Sequence, residues 1–225
     1  MKPREMKKIM KTLLTLAVTA ALFASGCRNL IISEPPRTNH YYVNPRANMA
    51  AVGRVALLEL DNLSTHQELG EIFTQTLADE LGKRSLFSIR KVMRADSVWQ
   101  SLKLDNMQAH TLDDLAAARQ ALSADAVLFG TIQRYMSFPH LQMSLTLKLV
   151  DTRSGQLLWA FEDVWDSGDK TVERRMQNYF KDQMRTGYEP INWQILVTSP
   201  LAFNGFVAWE VAKTLPANGT QKPAN

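Results

Sequence analysis

Cysteine is almost absent: Cys27 is the only one in 225 residues. That excludes an intramolecular disulfide and a cysteine-based zinc cluster. No segment offers the roughly 20 consecutive apolar residues that a membrane-spanning helix needs. The GxSxG, Walker, GxGxxG and HExxH patterns are all missing, so no hydrolase, nucleotide or zinc-protease motif is present. His40, His66, His110 and His140 are scattered without metal-ligand spacing and read as surface or capping histidines. Glu162, Asp163, Asp166 and Asp169 bracket Ser167-Gly168 without the calcium-loop spacing, and read as an acidic turn. The pattern therefore calls for no cofactor and no metal, and it supplies no nucleophile with a base beside it. One-sided charge is also lacking in most of the chain. The formal charge is +4, but residues 1–26 hold five bases and one acid, which leaves 21 of each in the remainder. A nucleic-acid-binding surface is not expected of such a balance.

What is present begins at the N-terminus. A basic stretch over residues 2–11 is followed by 13 apolar residues, Thr12 to Ala24, and then by Ser25, Gly26 and Cys27. This is the layout of a secretory signal peptide. Ala24-Ser25-Gly26-Cys27 resembles the bacterial lipoprotein signal. The resemblance implies cleavage before Cys27, acyl chains on its thiol and amine, and anchoring to a membrane through them. In a Gram-negative envelope, Arg28 in place of Asp at the next position implies the outer membrane. The expected organisation is a signal peptide over 1–26, a lipidated Cys27 and tether over 27–51, one domain over 52–215, and a disordered tail over 216–225. Pro35, Pro36 and Pro45 mark the tether. Within it, Tyr41 to Val43 fit either a short extended piece docked on the domain or a solvated linker.

The domain reads as β-α-β-α-α-β-β-β-α-α. Val52–Leu60 is a nearly continuous apolar run of strand length. Thr65 and Glu68 match a capping box ahead of a helix over 66–82. Leu86–Val92 is a short strand, and 94–104 and 111–122 are helices, the second with Asp113 and Asp114 in its first turn. Strands over 124–137, 141–151 and 156–165 follow. Leu141, Met143, Leu145, Leu147 and Leu149 alternate strictly along the middle one, and Thr152-Arg153-Ser154-Gly155 closes a hairpin. On the last strand, Leu157, Trp159, Phe161 and Trp165 share one parity. Helices over 170–185 and 200–215 end the domain, the latter opened by Ser199-Pro200. This order implies an α/β (α+β) single domain, with a mixed sheet, a C-terminal β-meander and helices packed on it.

Four blocks in order resemble a known superfamily: VALLELDNLS, LGEIFTQTLADELGKRSLFSI, ARQALSADAVLFGTI and LTLKLVDTRSGQLLWA. It contains the curli-secretion lipoproteins (CsgG-like), the N-terminal domain of TolB and the LpoB-type peptidoglycan-synthase activators. The resemblance spans about residues 53–160 and implies no catalytic positions. Its pore-forming members carry long insertions that form membrane-crossing hairpins. Here Ser137 reaches Leu141 through Phe138-Pro139-His140 alone, which weakens a pore reading.

The leading expectation is a lipid-anchored, non-enzymatic envelope protein that binds a protein partner. The alternatives are a subunit of a CsgG-like outer-membrane secretion complex and, behind it, an enzyme of unknown type. The expected contact lies on the last helix. Phe203, Phe206 and Trp209 lie on more than one side of it, and a band this wide exceeds the single stripe that a sheet-packed helix buries. The superfamily resemblance adds homo-oligomerisation as a possible use of these three residues.

Overall fold

Two patterns of side-chain period decide the architecture. Fully apolar strands need cover on both faces, whereas alternating strands need it on one. The computed structural model describes residues 40–102, 112–184 and 192–216. The signal peptide, Cys27, the residues up to 39, Thr111 with its expected cap, and the tail from 217 lie outside these described residues. So do 103–110 and 185–191.

The strands are β1 (His40–Val43), β2 (Arg54–Leu58), β3 (Asp61–Asn62), β4 (Ser88–Val92), β5 (Ala126–Met136), β6 (Gln142–Asp151) and β7 (Leu157–Asp166). They form one mixed sheet in the order β1-β7-β6-β5-β2-β4, with β3 continuing the line of β2 along β5. β4, β2 and β5 run parallel, while β5, β6, β7 and β1 pair antiparallel. The helices are α1 (Leu69–Lys83), α2 (Ser97–Leu102), α3 (Leu112–Leu122), α4 (Lys170–Tyr179), α5 (Ile195–Thr198) and α6 (Pro200–Thr214). A π-helical turn, Phe180–Met184, extends α4.

β2 shows why its sequence is continuous. Val55 and Leu57 face the main core under α1 and α6, while Ala56 and Leu58 face a second cluster with Trp99 of α2 and Leu122 of α3. The antiparallel half is covered on one face only. Met143, Leu145, Leu147 and Leu149 are fully buried there, as the strict alternation requires. Trp159, Phe161 and Trp165 extend that face as a stack, with ring centres 5.7 and 5.8 Å apart. Leu145 and Leu147 thus lie in the core, on the expected face.

Several expectations are corrected. The capping box does not form: α1 opens at Leu69, and its cap residue Glu68 makes no side-chain cap hydrogen bond. The preceding residues are held instead by Asn62, whose Oδ1 accepts from the Ser64 amide and whose Nδ2 donates to the His66 carbonyl. The tether expected over 27–51 ends earlier. β1 is paired with β7, Tyr42 opposite Ala160, so the docked reading of Tyr41–Val43 holds. Met49–Ala51 is a 3₁₀ turn capped by Asn48. The face assignment at the start of β7 also changes. A register shift beside Leu149 makes Leu158 the extra residue of a bulge, so Leu158 enters the core and Leu157 is half-buried.

Candidate protein-binding surface

Three of the four carboxylates of the acidic turn are used structurally. Asp169 caps α4 by accepting from the Thr171 and Val172 amides, which holds its carboxyl below the usual range. Asp166 accepts from Gln142 Nε2 and from the Gly168 amide. Glu162 points to solvent. Asp163 is buried, and burial pushes its carboxyl above the ordinary value against the Val164 amide, Arg175 and His40, which act to lower it. Arg175 of α4 lies 3.0 Å from Glu210 of α6 and 3.9 Å from Asp163, and Trp165 Nε1 donates to Glu210 at 2.7 Å. This network joins β7, α4 and α6 inside the core, where substrate has no access. No group of three or more acidic, histidine or cysteine side chains among the described residues could hold a metal.

The expectation for α6 divides. Phe203 and Phe206 are both 0% exposed, so the proposed contact is corrected for these two: they are core residues. The wide apolar band exists because α6 is wrapped by several neighbours. α1 lies beside it, β7 and α4 below it, and Tyr179 packs on Phe206 at 5.7 Å. Trp209 is only partly buried, with Tyr179 at 5.0 Å and Lys213 Nζ 3.9 Å above its ring.

The surface that sequence reasoning missed lies where α1 and α6 begin, beside the far end of β5. A groove of about 560 Å³ opens there, within the usual size of ligand sites. Its walls include Leu69 and Ile72 of α1, Pro200 and Leu201 of α6, and Tyr135 of β5. His66 stands edge-on to Tyr135, with centroids 4.9 Å apart, and Ser137 Oγ lies 3.5 Å from His66 Nε2. Burial raises the Tyr135 phenol, so it stays protonated. Asn204 is 3% exposed, and its Oδ1 has no hydrogen-bond partner. The first turns of both 15-residue helices meet the groove, which gives it positive partial charge beside the carboxylate of Glu68.

Large apolar side chains crowd this end of the sheet. Phe138 is 84% exposed, Leu63 72%, Leu201 67% and Ile72 42%. Phe138 follows Ser137 at the β5–β6 turn, and Leu63 is tied to β5 through its amide on the Ile132 carbonyl. Ser137 and His66 lack the third group that would make them a catalytic pair: among the described residues, nothing hydrogen-bonds to His66 Nδ1. An apolar groove with exposed aromatic and aliphatic flanks is what protein contacts use. The signal was readable only in part. Ile72 shares the helical spacing of the buried Leu69, Phe73 and Leu77, and Leu63, Phe138 and Leu201 sit in short segments without period.

No family model matches the chain, and no curated protein matches it. Solved structures similar to it include the PelC dodecamer from Paraburkholderia phytofirmans, at 17% identity and a TM-score of 0.42 over 61% of this chain and 87% of that one. Lipoprotein GNA1162 from Neisseria meningitidis aligns at 19% identity and a TM-score of 0.40, over 52% of this chain and 85% of that one. The LpoB C-terminal domain from Salmonella enterica aligns at 15% identity and a TM-score of 0.36, over 51% and 83%. Likenesses at these values carry no functional inference.

Proposed function

We propose that the chain is a lipid-anchored lipoprotein of the outer membrane whose domain binds an envelope protein without catalysing a reaction. The observation that carries the binding role is the groove at the start of α1 and α6, with Phe138, Leu63, Leu201 and Ile72 exposed around it. Exposed apolar side chains cost solvation free energy unless a partner covers them, at roughly 25 cal/mol per Å². The anchoring role rests on Cys27 behind its apolar run. No helix among the described residues is long and apolar enough to cross a membrane. The domain organisation follows: a signal peptide over 1–26, acyl chains on Cys27, and a tether that ends where β1 joins the sheet.

Co-purification from gently solubilised membranes tests both halves. The unmodified chain is expected to bring down a defined envelope protein, or a second copy of itself through the part-exposed Trp209. A Leu201→Asp, Phe138→Asp variant loses that protein while keeping its melting temperature. Cys27→Ser abolishes palmitate labelling and detergent-phase partitioning. Retention of partner by the double variant contradicts the groove, and retention of label by Cys27→Ser contradicts the anchor.

A further inference from the structure

The other end of the sheet carries a second groove, and its features point to a different occupant. β4 is an edge strand among the described residues. Its Ser88 amide donates to the Gly53 carbonyl, and its Val92 carbonyl accepts from the Glu59 amide. In a parallel ladder, alternate residues turn both backbone groups to one neighbour. Ser88, Arg90 and Val92 therefore face β2, and Ile89 and Lys91 present their N–H and C=O groups outward, where an added strand would pair.

Beside that edge lies a groove of about 570 Å³ between β4 and α1, lined by Phe87, Ile89 and Lys91 on one side and Ala78, Asp79 and Gly82 on the other. Neither backbone conformation nor close packing requires glycine at position 82. It lies inside α1, it does not take positive φ, and a Cβ built on it would meet nothing within 4 Å. The left-handed residue that follows the helix is Ser85, with φ 52°. A helical glycine costs about 1 kcal/mol relative to alanine. What its missing side chain provides is room in the groove.

The charge around the edge is one-sided. Residues 83–94 hold five bases and no acid. Lys83 pairs with Glu80, and Arg94 with Glu59 and Asp61. The other three bond neutral acceptors: Arg84 the Leu215 carbonyl, Arg90 the Leu122 carbonyl and Lys91 the Gln75 side chain. Asp79 is the one acid lining the groove.

We infer that the β4 edge is a docking site for an extended, acidic polypeptide segment of a partner, added as a strand beside β4 with one apolar side chain seated against Gly82 and Ile89. This is a second contact, separate from the one around Leu201. Outward-facing carbonyls and amides in alternation favour a peptide over an anionic lipid surface, which offers no such ladder.

The test uses the full-length chain in detergent and a fluorescein-labelled peptide, Ser-Glu-Val-Glu-Val-Glu-Ser, read by fluorescence anisotropy. Saturable binding is expected. It weakens about tenfold or more in Gly82→Leu, which fills the groove. It weakens similarly in the Arg90→Glu, Lys91→Glu double variant, and on methylation of alternate peptide amides. Gly82→Leu keeps or raises the parent's melting temperature, so its loss of binding is not unfolding. Three outcomes overturn the inference: no binding up to about 1 mM peptide, equal binding by the methylated peptide, or undiminished binding by Gly82→Leu. Displacement of the peptide by phosphatidylglycerol vesicles, with Gly82→Leu binding both alike, would assign the site to a membrane surface instead.

Discussion

Two glycines show how differently one residue type is used. Gly130 stands opposite Leu147 in the β5–β6 ladder, and a Cβ there would lie 2.1 Å from the Thr146 carbonyl oxygen. Backbone cannot yield as a flexible side chain can, so Gly130→Ala is expected to destabilise by about 1–3 kcal/mol or more, measured by urea unfolding. Wild-type stability in that variant would mean that β6 does not pass so close. Nothing beside Gly130 in the sequence announces this: the carbonyl that decides the matter comes 16 residues later, on the next strand. Asp163 gives a pH signature. Its native pKa is raised, chiefly by burial, while Arg175 is engaged by Glu210. Between the ordinary carboxylate range and that raised value, the native state keeps a proton that the unfolded chain has released. Stability therefore falls as pH rises through this window. In Asp163→Asn the fall from this group disappears, so its melting temperature should change less between pH 4 and pH 7 than the parent's. Parallel melting curves across that range would show that Asp163 ionises normally.

At the scale of elements, legibility followed the strength of the period. The alternation of Met143 to Leu149 placed β6 and its buried face correctly, because a one-residue slip would turn every leucine to solvent. α6 was located correctly, and Ser199 caps it by accepting from the Ala202 amide. Its aromatic band was misread, since a helical period cannot say how many neighbours surround a helix. Phe203 and Phe206 are both buried, with their rings 6.3 Å apart, and Tyr179 of α4 packs on Phe206. The capping box failed for a local reason: Asn62 holds the Ser64–His66 backbone by its own hydrogen bonds. β1 was legible only as an open choice, because four residues show no period. Its pairing makes a sharp prediction. The Asn44 amide donates to the Leu158 carbonyl, so Tyr42 and Ala160 form a hydrogen-bonded pair, whereas the Tyr41 amide points away. Tyr42→Pro should release β1 and speed amide exchange at Ala160, and Tyr41→Pro should do so far less. Equal effects would place β1 in another register.

For the whole molecule, the mixed α/β architecture was readable from element order. The groove at the start of α1 and α6 was not, because it is assembled from the β3–α1 loop, the far end of β5 and two helix starts separated by about 130 residues. The central claim is that this end of the sheet contacts a protein. Site-specific photo-crosslinking in intact cells tests it most directly, with benzoylphenylalanine placed at Leu201 or Phe138 and, as a control, at Lys148 on the open face of β6. The account predicts one discrete crosslinked species, shared by the Leu201 and Phe138 probes and missing from the Lys148 probe. Crosslinking at Lys148 alone, or no discrete product at Leu201 and Phe138, would contradict it.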